Sequence, residues 1–205
     1  MEKLLGGTIC EDMKWKQHLI ASDQSLIRQL TSRLNGLLKI SPYASASTKL
    51  MVANGIFMSK LCYLVHFWGG CEKYVVRSLQ IVQNKAARVV TGKSWYTPVR
   101  RKLKDCRWLS VQQLIFFQTV LQVHKIVLGE GPVYFKQRFS TQHPRDTRQA
   151  TGGRIWRGQH WTSSSFSSRG AHVYNTIQDY IRSCTSIPTF KSKLKNWVSS
   201  NIPID

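Results

Sequence analysis

The stretch that most constrains this chain is Leu79–Trp108, LQIVQNKAARVVTGKSWYTPVRRKLKDCRW. Val75, Leu79, Val82, Ala86 and Val90 recur at the spacing of a single helix face, so the first half of the stretch is an amphipathic helix that buries one side. On the opposite side, Arg77, Asn84 and Arg88 stack at helical spacing with Lys85 beside them. Gly92 supplies the left-handed residue that stops such a helix. Lys93, Trp95 and Tyr96 follow, then a Thr97-Pro98 helix start and the run Arg100, Arg101, Lys102, Lys104, Arg107. Cations interleaved with aromatics suit a phosphate backbone: Lys and Arg replace condensed counterions, and flat rings stack on bases or sugars.

The whole composition points the same way. Thirty Lys and Arg stand against ten Asp and Glu, a formal charge of +20, which makes a polyanion the expected partner. An anionic membrane surface competes with this reading, but no lipidation signal is evident. At 205 residues and 42% hydrophobic content, the chain has enough apolar material for one domain or two small ones. Its five cysteines, Cys10, Cys62, Cys71, Cys106 and Cys184, include no C-x-x-C pair, so reduced and partly buried thiols are expected, with no disulfide framework and no zinc ribbon. The N-terminus lacks a signal-peptide pattern, which predicts an intracellular protein, nuclear or cytoplasmic. Arg100-Arg101-Lys102 is a weak nuclear-import candidate.

Along the chain, Lys3–Cys10, broken by Gly6-Gly7, reads as a strand or half a hairpin. From Trp15 to Ile40, Leu19, Leu26, Ile27, Leu30, Leu34, Leu37 and Leu38 follow helical spacing while Arg28, Arg33 and Lys39 fall off the stripe. His18 reads as a packing residue, because no second His or carboxylate lies four residues on. Ser41-Pro42 ends that helix, and Ser45–Thr48 offers a cap for the next. Leu50–Trp68 is the most apolar segment; Asn54, Lys60 and His66 interrupt it, so it reads as a core helix with Phe57, Leu61, Leu64 and Trp68 facing inward. Ser110 caps a helix over Val111–Leu128 that carries Leu114, Phe117 and Leu121 and closes at Gly129. His124 and Lys125 lie at its end, where a cation complements the dipole. Gly131-Pro132 starts a short helical turn through Phe139.

Between Ser140 and Ser168 the chain turns rich in Ser, Thr, Gln, Gly and Arg without a sustained period, and reads as a mobile arm. Arg138, Arg145, Arg148, Arg154 and Arg157 with Trp156 and Trp161 make it either a strap that orders on nucleic acid or a solvated basic linker. Ala171, Tyr174, Ile177 and Ile181 then form one helical stripe. Phe190, Leu194, Trp197 and Val198 form another, opposed by Lys191, Lys193 and Lys195.

Trp68-Gly69, Leu79–Arg88 and Trp108–Val111 together resemble, in order and spacing, the segment downstream of the polymerase core in jockey-like, LINE-type (non-LTR) retrotransposon reverse transcriptases. That family shows a Trp-Gly pair, then a Leu-Gln-x-x-Gln-Asn-Lys-Ala-Ala-Arg helix, then Trp-Leu-Ser-Val. The resemblance runs from Leu4-Leu5-Gly6, Trp15 and His18 to Phe190-Lys191 and Leu194-Lys195-Asn196-Trp197. It implies a mainly α fold: a helical bundle with a short N-terminal strand or hairpin, a mobile basic arm and a C-terminal helical module. The expected divisions are a remnant strand and turn over 1–14 following a missing palm, a thumb-like helical bundle over 15–139, the arm over 140–168 and a helical pair over 169–205. Beginning after the palm, the chain is expected to be a fragment.

Polymerase chemistry needs paired aspartates to hold two metal ions, and the family places them in a [FY]-x-Asp-Asp turn. No Asp-Asp pair occurs here; the acids are Glu2, Glu11, Asp12, Asp23, Glu72, Asp105, Glu130, Asp146, Asp179 and Asp205. The expected function is therefore non-catalytic: binding nucleic-acid backbone, RNA or DNA, as a template–primer duplex, with no cofactor, no metal, no membrane and no small-molecule substrate. The expected contacts are Arg77, Lys85, Arg88, Lys93, Trp95, Tyr96, Arg100, Arg101, Lys102, Lys104 and Arg107, with Arg154, Trp156 and Arg157 from the arm and Lys191 and Lys195 from the last helix. Two alternatives stay open: a decayed by-product or interaction protein with no selected activity, and an accessory acting in trans with a palm on another chain.

Overall fold

In a computed structural model of the chain, residues 2–4, 7–9, 15–136, 139, 155 and 166–204 are described. The fold is mainly α-helical, as the apolar spacing requires. At the start, β1 (Glu2–Leu4) pairs antiparallel with β2 (Gly7–Ile9), Leu4 opposite Gly7. The chain forms two compact units, Met1–Leu114 and Ile115–Pro203, so the division falls inside a helix, whereas the change in composition begins at Ser140.

In the first unit, α1 (Leu26–Ile40) buries Leu26, Leu30, Leu34 and Leu37. It does not reach back to Trp15, as the apolar spacing suggested. Gln17–Ala21 is a separate π-helical turn, and the backbone is extended at Ser22 and Ser25 between the two. Ser22, Asp23 and Ser25 favour turns because their short polar side chains compete for backbone bonds. His18 packs edge-on against Trp15 with centroids 5.8 Å apart, and burial together with the Lys60 charge lowers its pKa.

After a 3₁₀ turn at Ser41–Tyr43, Ser45 Oγ accepts from the Thr48 amide at 3.2 Å and opens α2 (Ala46–Val52). The apolar segment that follows is broken, not one continuous helix. Ala53–Met58 is π-helical, α3 (Ser59–Cys62) is a single turn, and Leu64 turns left-handed (φ 54°) before α4 (Val65–Trp68). Phe57, Leu61 and Trp68 are buried as expected, but the turn at Leu64 leaves that residue half-buried. Arg33 of α1, read from the sequence as lying off the apolar stripe, donates to the Ile56 carbonyl in the π-helical stretch. α5 (Lys73–Thr91) packs against α1 and α2, burying Val75, Leu79, Val82, Ala86 and Val90. α6 (Val99–Asp105) lies against α5.

α7 (Val111–Val127) begins in the first unit with a reciprocal cap. The Gln113 amide donates to Ser110 Oγ at 3.2 Å, and the Ser110 amide donates to Gln113 Oε1 at 3.1 Å. It ends at Gly129 (φ 86°), where the Glu130 amide reaches the Lys125 carbonyl at 2.9 Å.

The second unit also contains α8 (Val133–Lys136), α9 (Phe166–Asn175), α10 (Asp179–Arg182) and α11 (Ile187–Asn201). Ala171, Tyr174, Ile177 and Ile181 are all buried, yet not on one helix: the chain turns at Thr176–Gln178, which leaves Ala171 and Tyr174 on α9, Ile177 in the turn and Ile181 on α10. Arg182 stabilises the turn by donating to the Asn175 carbonyl (3.2 Å) and pairing with Asp179. Gly170 lets α9 come close to α7: a Cβ there would sit 2.8 Å from Val123 Cγ2. Most of the Ser140–Ser168 arm lies outside the described residues, including Arg145, Arg148, Arg154, Trp156, Arg157 and Trp161, as does Arg138 before it. Where it is described, the chain is bound in place. Ile155 is buried and pairs through both backbone groups with the Asn175 amide (2.9 and 2.8 Å), and Phe166–Ser168 begins α9. No described helix is long and apolar enough to cross a membrane.

Candidate nucleic-acid interface

Between Lys73 and Arg107 the sequence carries ten Lys and Arg and one acid, Asp105. Burial of the stripe on α5 turns Arg77 and Lys85 outward and leaves Arg88 half-buried. Eleven residues separate Arg77 from Arg88, about 16 Å along the helix, comparable to the rise of about five nucleotides of one strand. At the end of α5, Gly92 is left-handed (φ 64°) and its amide bonds the Arg88 carbonyl at 2.9 Å, which throws the following loop outward.

That loop presents the aromatics. Trp95 is 70% exposed and Tyr96 92% exposed. The Arg88 guanidinium lies 4.6 Å from the Trp95 ring centroid. Lys93 pairs with Asp105, tying the loop to the end of α6 and neutralising the one acid of the stretch. Arg100, Arg101 and Lys104 are exposed on α6. Arg107, also exposed, occupies the left-handed stop after α6 (φ 56°); its amide bonds the Lys104 carbonyl and the Trp108 amide bonds the Leu103 carbonyl, both at 2.9 Å.

Lys102 departs from the expected set. It is 5% exposed on the inner side of α6 beside Leu103, so it does not face solvent with its basic neighbours. Asn84, half-buried like Arg88, accepts at its Oδ1 from Gln80 Nε2 at 2.8 Å. Lys191 and Lys195 are exposed on α11, where Lys193 approaches the Tyr180 ring (5.7 Å); Arg154, Trp156 and Arg157 lie outside the described residues.

No protein-family model, curated protein or solved structure matches the chain.

The residues that sequence reasoning missed are amides. Gln80 and Gln83 are buried on α5, linked to each other at 2.9 Å. Gln83 Nε2 donates to the Leu109 carbonyl at 2.9 Å, and the Val111 amide donates to Gln80 Oε1 at 2.8 Å. Trp108 Nε1 donates to Asn54 Oδ1 at 2.8 Å. The Leu-Gln-x-x-Gln-Asn and Trp-Leu-Ser-Val segments thus hold each other, fixing both ends of the basic loop and α6 between them. Two glutamines within a buried helical stripe were the available signal.

Elsewhere, His124 is 1% exposed and stacked on Phe190, with ring centroids 3.5 Å apart. The Cys184 carbonyl, 2.9 Å from Nε2, can only accept, so Nε2 carries the proton and Tyr174 O–H donates to Nδ1 at 3.0 Å. Burial lowers its pKa, opposed in part by the Cys184 bond and the Glu130 charge. His124 is therefore a neutral packing residue; of the pair read as complementing the helix dipole, Lys125 alone is charged. Burial likewise pushes the Cys62 and Cys106 thiols up to about 11 and the Tyr174 hydroxyl up to about 12. Cys62, Cys106 and Cys184 are free thiols. Among the described residues, no group of His, Cys, Asp and Glu is arranged to hold a metal ion.

Proposed function

We propose that this chain binds nucleic-acid backbone through the outer faces of α5 and α6 and the loop between them, in the manner of the post-palm region of a jockey-like retrotransposon reverse transcriptase, and contributes no polymerase chemistry of its own. The observation that carries the proposal is the exposed Trp95 held by Arg88, in a stretch that also exposes Arg77, Lys85, Arg100, Arg101, Lys104 and Arg107 and whose one acid is paired to Lys93. A surface rarely exposes so many cations and two aromatic rings over one short stretch unless they meet a polyanion. Contacts of this kind fix phosphates and carry little sequence preference.

The test is a salt titration of binding to an RNA–DNA hybrid, a DNA duplex and single strands. Affinity should fall by about 10³ or more between low and moderate salt. Replacing Arg88, Arg100 and Arg101 together with Ala should lower the salt slope by about three while leaving helicity intact. Weak binding, equal for all ligands and indifferent to salt, would assign the charge to a by-product without selected activity. An unchanged slope in the triple variant would move the contact surface to α11 or the arm.

A further inference from the structure

We infer that the Gly92–Pro98 loop stacks an unpaired base, so that the ligand of this surface is a strand end or duplex junction with a single-stranded overhang; the inference rests on the backbone-binding reading above. The loop is tethered in two places and closed on itself in a third. The Gly92 amide bonds the Arg88 carbonyl, Lys93 pairs with Asp105, and the Thr97 amide closes a turn on the Ser94 carbonyl at 3.2 Å. Two adjacent rings project from this tethered base, and Arg88 approaches only Trp95. An indole that is 70% exposed beneath one guanidinium still offers ring surface, and Tyr96 offers nearly all of its own.

The chemistry then narrows the ligand. Bases inside a duplex already stack on one another and hide their faces, whereas an unpaired base, in RNA or DNA, has a face free for an aromatic side chain. Arg88 lies against the Trp95 ring, and Arg100 and Arg101 are exposed at the start of α6 directly after the loop, so the phosphates flanking such a base are groups these cations can meet. Phosphate contacts alone would leave the two exposed rings without a role.

The test compares the full chain on a blunt duplex and on the same duplex with a short overhang, made once in DNA and once in RNA, at fixed salt. Wild type should prefer the overhang by about tenfold or more, since stacking on an aromatic ring contributes that much per base. The Trp95→Ala, Tyr96→Ala double variant should lose the preference, and Trp95→Phe should keep part of it. A preference confined to one sugar identifies which strand the loop holds. Equal wild-type affinity for blunt and overhanging ligands overturns the inference while leaving backbone binding intact. So does a double variant that keeps the preference, or one that loses binding to phosphatidylserine vesicles but not to overhangs. Absence of salt-steep binding to every ligand removes the underlying reading instead.

Discussion

Gln83 is wholly buried, and each end of its amide is used: Nε2 on the Leu109 carbonyl and Oε1 on Gln80. Gln83→Leu would keep the volume but leave that carbonyl without its donor, so the variant should lose about 1–3 kcal/mol, read as a lower urea midpoint. Ile81→Ala, two residues away on the exposed side, should change stability by less than about 0.5 kcal/mol. Single residues were the least legible scale. The glutamines stood in plain sight within the Leu-Gln-x-x-Gln-Asn motif, but helical spacing counts apolar positions and does not say that a polar group on the inner face has a backbone partner 26 or 31 residues on. Lys102 escaped for another reason. α6 has seven residues and Leu103 as its one buried apolar anchor, too little to separate an inner cation from its outer neighbours.

Elements were more legible than their continuity. The stripes on α5 and α7 are buried as their spacing required, those on α1 and α11 only in part, with Leu38 exposed and Ile27 and Trp197 half-buried, and the stops at Gly92 and Gly129 are left-handed. What spacing could not reveal were the breaks at Ser22–Ser25, at Leu64 and at Thr176–Gln178. A stripe that feeds the same core before and after a turn keeps its rhythm through it. The seating of α11 also has a consequence for pH. His124 is stacked on Phe190 of that helix, and its pKa is lowered in the fold from the ordinary 6.5. The unfolded chain therefore binds a proton more readily than the folded one, and the stability from a neutral His124 is complete above pH 6.5 and lost as pH falls through the lower, folded value. Lowered in the same way, His18 adds in the same direction in the first unit. Thermal midpoints should decline as pH drops below about 6.5, with a shallower decline for His124→Gln, which keeps only the His18 contribution.

At the scale of the whole molecule, charge was fully legible and the division into units was not, since the spacing of α7 runs unbroken across Leu114 and Ile115. With 30 cations and ten acids, the fold repels itself, and the ion pairs Asp23–Arg28, Lys93–Asp105 and Asp179–Arg182 among the described residues join groups at most 12 residues apart in sequence. Salt should therefore act with opposite signs on the stability of this protein and on its proposed polyanion binding. The proposed binding should weaken as salt rises, while the free chain gains stability, on the order of 1 kcal/mol or about 2–4 °C in Tm. Thermal unfolding in rising sodium chloride reads the second sign directly; a Tm that stays flat or falls would mean that self-repulsion is already relieved locally. Arg107 brings this tension down to one backbone position. It holds a left-handed conformation that glycine adopts freely and an arginine adopts at a cost of about 1–2 kcal/mol. Residue 107 is thus a point of conflict for anyone hardening this scaffold: the substitution that relaxes the backbone there also erases a cation from the face proposed to meet phosphate.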